Sequence, residues 1–129
     1  MNNAKHVLVV EDDPRWRAAL ARLLEKKGYL VRCAADGLEA LDCLRTAPRV
    51  GVILLDLNVP VLDGWEFLRR RQLDPAMASI PVIVVSALGE AAARGGAPGG
   101  VDYLQKPVDV EELFAAVERC FTAARRAER

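Results

Sequence analysis

The chain carries no net charge, since 18 Lys and Arg balance 18 Asp and Glu. Without a positive field, sequence-independent binding to DNA or RNA phosphates is a poor expectation. Cysteine is scarce: Cys33, Cys43 and Cys120 are the only three, and none shares a CxxC spacing. That excludes a disulfide framework or zinc ribbon and leaves small buried hydrophobes in a reducing compartment. Histidine is single, and no apolar run approaches bilayer length. The opening MNNAKHVLVVEDD has a four-residue apolar run ended by three acids, too short for a signal peptide. We expect a cytoplasmic protein with no membrane insertion and no direct nucleic-acid partner.

What is present is orderly. Apolar residues make up 52% and charged residues 28% of 129 residues, the profile of one globular domain. Short apolar runs alternate with helical patterns. VLVV (7–10), YLVRCA (29–34), VGVILLD (50–56), IPVIVVSA (80–87) and VDYLQKP (101–107) read as strands. Between them, Asp13-Pro14 caps a first helix that places Trp16, Leu20, Leu23 and Leu24 at helical spacing and stops at Gly28. Asp36 with Glu39, Asp63 with Glu66, and Asp109 with Glu112 stand at capping spacing for three more helices. Leu38, Leu41 and Leu44 are expected to line the second helix, and Val110, Leu113, Phe114, Val117 and Phe121 the last one. Continuous apolar strands alternating with amphipathic helices predict an α/β fold: a doubly wound parallel sheet covered on both faces.

In such a sheet the functional crevice lies beyond the carboxyl ends of the strands. The first strand ends in Glu11-Asp12-Asp13, the third in Asp56 and the fourth in Ser86, and Lys106 follows the fifth. Crowded carboxylates repel unless a cation sits among them. A few hard oxygen ligands with room for water suit Mg²⁺ better than zinc or a calcium cage. Such an ion would neutralise Asp12 and Asp13 and leave Asp56 as a nucleophile, with Ser86 and Lys106 facing the oxygens of a transferred phosphoryl group.

VLVVEDDP, VILLDLNVPVLDG, VIVVSA and DYLQKP, in that order, resemble the motifs of a response-regulator receiver domain of two-component signalling, along almost the whole chain. The resemblance implies five strands in the order 2-1-3-4-5 within one domain over residues 1–129, with its core at about 5–122; as the sequence runs only a little past the last helix, no output domain is expected in it. It implies a phosphorelay switch that takes a phosphoryl group on Asp56. Mg²⁺ or Mn²⁺ would be bound directly by Asp13, with Asp12 assisting, Asp56 as a ligand and the backbone carbonyl of Asn58 completing the protein ligands. Ser86 and Lys106 would hold the phosphoryl group, Tyr103 would change rotamer with Ser86, and the bond before Pro107 would be cis. The implied partners are a sensor histidine kinase or histidine phosphotransfer protein, an unidentified downstream protein, and a second copy of the chain upon phosphorylation.

Other readings fit less well. A haloacid-dehalogenase-type phosphatase wants a general acid two residues after the nucleophile, where Asn58 stands. A flavodoxin-like binder would need a phosphate cradle where this chain has three acids. A phosphate-independent adaptor would usually lack one of the key residues. His6 reads as solvated, Trp16 and Trp65 as half-buried, and Arg69-Arg70-Arg71 as a solvated helix face. GEAAARGGAPGG (89–100) stands where the family's signalling helix should be, with five of the chain's nine glycines and only alanine for apolar anchors. It is expected to form at most about two helical turns around Glu90–Arg94, with the rest mobile.

Overall fold

The computed structural model describes residues 5–46, 49–87 and 101–127. The expectation for residues 89–100 lies outside them. Five parallel strands, β1 (His6–Val10), β2 (Leu30–Ala34), β3 (Val52–Asp56), β4 (Val82–Ser86) and β5 (Val101–Gln105), form one sheet in the order β2-β1-β3-β4-β5. The helices are α1 (Pro14–Lys26), α2 (Gly37–Thr46), α3 (Gly64–Leu73), a short α4 (Pro75–Ala78) and α5 (Val110–Ala127).

Strand alternation divides the core in two. Leu8, Val10, Ile53, Leu55, Val82 and Val84 face one side, with Ala40 and Leu41 of α2, Phe67 and Leu68 of α3, and Met77 of α4. Val7, Val9, Val52, Leu54, Ile83 and Val85 face the other, against Leu20 and Leu24 of α1 and Leu113, Ala116, Val117 and Cys120 of α5. Because both faces are covered, β1, β3 and β4 show no hydrophobic alternation in sequence although their side chains alternate in space.

Helix starts follow the capping residues. Asp36 accepts from the Glu39 N–H at 2.8 Å while the Glu39 carboxylate accepts from the Ala35 N–H at 2.9 Å. Asp63 accepts from the Glu66 N–H at 2.9 Å. Asp74-Pro75 repeats the Asp13-Pro14 device and starts α4, which sequence periodicity misses because four residues are too few to show a period.

The expected helix stripes face the core except at their first residues, Leu38 and Val110. On α2, Leu41 is buried and Leu44 half-buried as expected, but Leu38 is 45% exposed, and Gly37 and Ala40 complete the buried face. On α5, Val110 is exposed, Phe114 and Phe121 are half-buried, and Ala116 and Cys120 complete the buried face. Small residues at 40, 116 and 120 let the helices approach the sheet, a signal that counting large apolar residues overlooks. Two more expectations need correction. Cys33 is exposed, because β2 is an edge strand, and Cys43 is only half-buried. Arg71 is buried, while Arg69 and Arg70 are exposed and bound to Glu66.

Candidate functional site

β1 and β3 run in register with Val10 beside Leu55. The residues that follow, Glu11 and Asp56, therefore emerge together at the carboxyl edge of the sheet. The Glu11 N–H donates to the Ala34 carbonyl at 3.0 Å, so the β1–β2 ladder continues one residue beyond the apolar run. Glu11 and Asp56 are both buried, whereas Asp12 is exposed. One carboxylate oxygen from each of Glu11, Asp12 and Asp56 lies within 4.8 Å of the other two.

Lys106 reaches this group from the loop after β5. Its Nζ donates to Asp56 Oδ2 at 3.0 Å and to Glu11 Oε1 at 3.4 Å. Its backbone N–H donates to the Ser86 carbonyl at 3.0 Å, and the Lys106–Pro107 bond is cis. Asp56 Oδ1 accepts the Asn58 N–H at 2.9 Å, so each oxygen of that carboxylate has its own donor. Glu11 Oε2 accepts the Asp13 N–H at 3.1 Å.

The electrostatics reflect this crowding. Burial pushes the Glu11 carboxyl up to about 7; the Asp13 N–H opposes the rise and the Asp56 charge adds to it. Burial alone would lower the Lys106 ammonium. Its hydrogen bond to Asp56 and the charges of Asp56 and Glu11 outweigh that, and the net shift is upward. Three carboxylates against one ammonium leave a negative site of hard oxygen donors, with Asp12 at an open rim. That donor set fits a divalent cation.

Asp12, Asp56 and Lys106 are thus brought together as the sequence led us to expect. Asp13, expected to bind the metal directly, lies outside this carboxylate group, and Glu11 stands in it beside Asp12. Asp13 Oδ1 accepts the Arg15 N–H at 2.9 Å and the Trp16 N–H at 3.5 Å, which caps α1. Glu11 is the residue the sequence reading left without a role. The available signal was the Asp-Pro pair itself: once Asp13 is spent on the helix start, the two acids before it are the ones left at the strand end.

Ser86 is buried at the end of β4, one residue past Val85, which aligns with Asp56. Asn58 is exposed in the turn directly after β3. Tyr103 is half-buried on β5, aligned with Val84 and packed against the core on the α2–α3 face.

Residues 7–118 match the response regulator receiver domain. The chain belongs to that family. This receiver domain is 37% identical over 113 residues to RpaA of Synechocystis, a DNA-binding dual master transcriptional regulator, matching 86% of this chain and 46% of that protein. It is 40% identical over 111 residues to the response regulator MprA of Mycobacterium avium, matching 84% of this chain and 47% of that protein. It therefore spans about half the length of these curated relatives.

Among solved structures, it superposes on the receiver domain of a histidine kinase from Syntrophus aciditrophicus with a TM-score of 0.87, at 30% identity, covering 95% of this chain and 94% of that one. It superposes on the receiver domain of a sensor histidine kinase from Pseudomonas aeruginosa with a TM-score of 0.79, at 29% identity, covering 90% and 96%. The latter holds a magnesium ion in its active-site cleft. Among the described residues of our receiver domain, no helix is long and apolar enough to cross a membrane.

Proposed function

We propose that this receiver domain is a phosphorylation-dependent switch that accepts a phosphoryl group on Asp56 from the phosphohistidine of a sensor kinase or phosphotransfer protein in the cytoplasm. The observation that carries this reading is the Asp56 carboxylate, held by Lys106 on one oxygen and the Asn58 N–H on the other, inside an acidic group that fits a divalent cation. Glu11, Asp12, Asp56 and the Asn58 carbonyl are the groups that would hold Mg²⁺ or Mn²⁺. The ion would supply charge neutralisation at the phosphoryl oxygens.

In the transfer, an Asp56 oxygen forms the new O–P bond. The P–N bond to the donor imidazole breaks, and its electron pair stays on the nitrogen, which takes up a proton. Asp56 is pre-oriented for this attack because the Asn58 N–H fixes its rotamer. Lys106, already in contact with the carboxylate, follows the charge onto the phosphoryl oxygens as it develops. Ser86, buried at the adjacent strand end, is the hydroxyl suited to the opposite side of the phosphoryl group. Tyr103, packed over the core on β5, is the side chain suited to report Ser86's movement. Asn58 argues against a turnover phosphatase, because an amide cannot serve as the acid that such enzymes need.

Incubation with acetyl phosphate and Mg²⁺ tests the reading by intact mass. Wild type should gain one phosphoryl group and Asp56→Asn none. Equal labelling of both would remove Asp56 as the acceptor.

A further inference from the structure

Arg17 stands in an unusual place for a cation. It lies in the first turns of α1, half-buried, and its Nη1 turns back toward the start of the helix. There it donates to the Glu11 carbonyl at 2.8 Å and to the Asp12 carbonyl at 3.4 Å. One electrostatic preference opposes this position. The N-terminal end of a helix carries positive partial charge and disfavours cations. A surface arginine serving solubility would point away from it.

The two acceptors explain the placement. Glu11 and Asp12 supply two of the three clustered carboxylates. The Glu11 backbone is now held at both ends, its N–H by Ala34 and its carbonyl by Arg17. Asp12 is exposed, so the aim of its carboxylate depends on the conformation of the backbone that carries it. One guanidinium nitrogen donating to two successive carbonyls restrains the backbone torsions of Asp12 that lie between them. We propose that Arg17 is a positioning residue of the cation site, bracing the Glu11–Asp12 backbone so that both carboxylates face the ion. The proposal rests on the metal-dependent reading of the site given above.

A charge role and a positioning role predict opposite signs. If Arg17 acted only through its charge it would repel the ion, and its removal would tighten binding. If it acts by positioning, removal weakens binding even though a repulsive charge is lost. Titration with Mn²⁺, following the free ion by electron paramagnetic resonance, reads this without any phosphoryl transfer. Arg17→Met should weaken Mn²⁺ binding by about 10-fold. Arg17→Lys, which keeps the charge but loses the guanidinium's fixed donor direction and some of its reach, should fall between Arg17→Met and wild type. Arg22→Met, at an exposed position farther along α1, should match wild type.

Unchanged or tighter binding in Arg17→Met overturns the proposal while leaving the metal-dependent reading intact. Should Arg17→Met fail to fold, Arg17→Lys decides alone, and wild-type affinity in it overturns the proposal. Absence of saturable binding in wild type sinks both readings.

Discussion

At the residue scale, Glu11 shows how a functional site trades stability for chemistry. Its folded-state value of about 7 stands above its ordinary 4.5. An acid shifted upward is ionised in the unfolded chain before the folded one, so folding stability falls as pH rises through that window. The penalty is absent below about 4.5 and complete above about 7. Without metal at pH 8, Glu11→Gln should therefore be more stable than wild type, by on the order of 1–3 kcal/mol. The difference should vanish toward pH 4.5. Urea denaturation in EDTA at both pH values checks this, and a less stable variant at pH 8 would contradict it. The same substitution should weaken divalent-cation binding.

Val61 carries strain of a different kind. It has φ of 67° and is 74% exposed in the loop after β3. A β-branched residue in the left-handed region is costly. The loop is pinned on both sides: Gly37 N–H donates to the Leu62 carbonyl at 3.1 Å and Gly64 N–H to the Leu57 carbonyl at 3.0 Å. Asparagine tolerates this conformation, so Val61→Asn should add about 1 kcal/mol of stability. Equilibrium unfolding that shows no gain would mean the loop relaxes around valine.

At the scale of elements, α3 holds three successive arginines with two different jobs. Arg69 and Arg70 share the Glu66 carboxylate on the exposed face. Arg71, only 4% exposed, sends its guanidinium to the Ile80 carbonyl at 2.7 and 3.0 Å and to the Ala78 carbonyl at 2.9 Å. It ties the end of α4 and the entry of β4 to α3 with hydrogen bonds to carbonyls in place of a counter-ion. Arg71→Met leaves those acceptors without their donor and should cost about 2–4 kcal/mol, with Arg71→Lys losing less. Arg69→Met should leave stability close to that of wild type, because exposed ion pairs contribute little. Chemical denaturation of the three variants separates the roles; equal losses at 69 and 71 would refute the distinction.

At the scale of the molecule, the site is built from segments far apart in sequence. Lys106 and Glu11, 95 residues apart, meet only when the sheet is complete. A cation held there binds the folded chain and not the unfolded one, so it stabilises the whole domain. At a Mg²⁺ concentration 100 times the dissociation constant, the gain should be about 2.7 kcal/mol. Thermal unfolding should shift upward with MgCl₂ and return with EDTA, and the shift should shrink in Glu11→Gln. A midpoint insensitive to Mg²⁺ would argue against cation binding at the sheet edge.

Strand and helix identities were legible locally, because apolar runs, capping acids and Asp-Pro pairs act over a few residues. Asp12, Asp56 and Lys106 were legible as site candidates for a related reason. Polar groups at the ends of apolar strands have one place to go once a parallel sheet is assumed. What local pattern could not decide was register and facing. Glu11 joins the carboxylate group because β1 pairs one residue beyond its apolar run, while Asp13 stands at the start of α1. Arg71 is buried beside two exposed arginines because only one of the three points between α3 and β4. Arg17 turns toward the site because the carbonyls that receive it converge there. Each outcome depends on which partners the rest of the chain brings within hydrogen-bonding distance, and no spacing along the sequence encodes that distance.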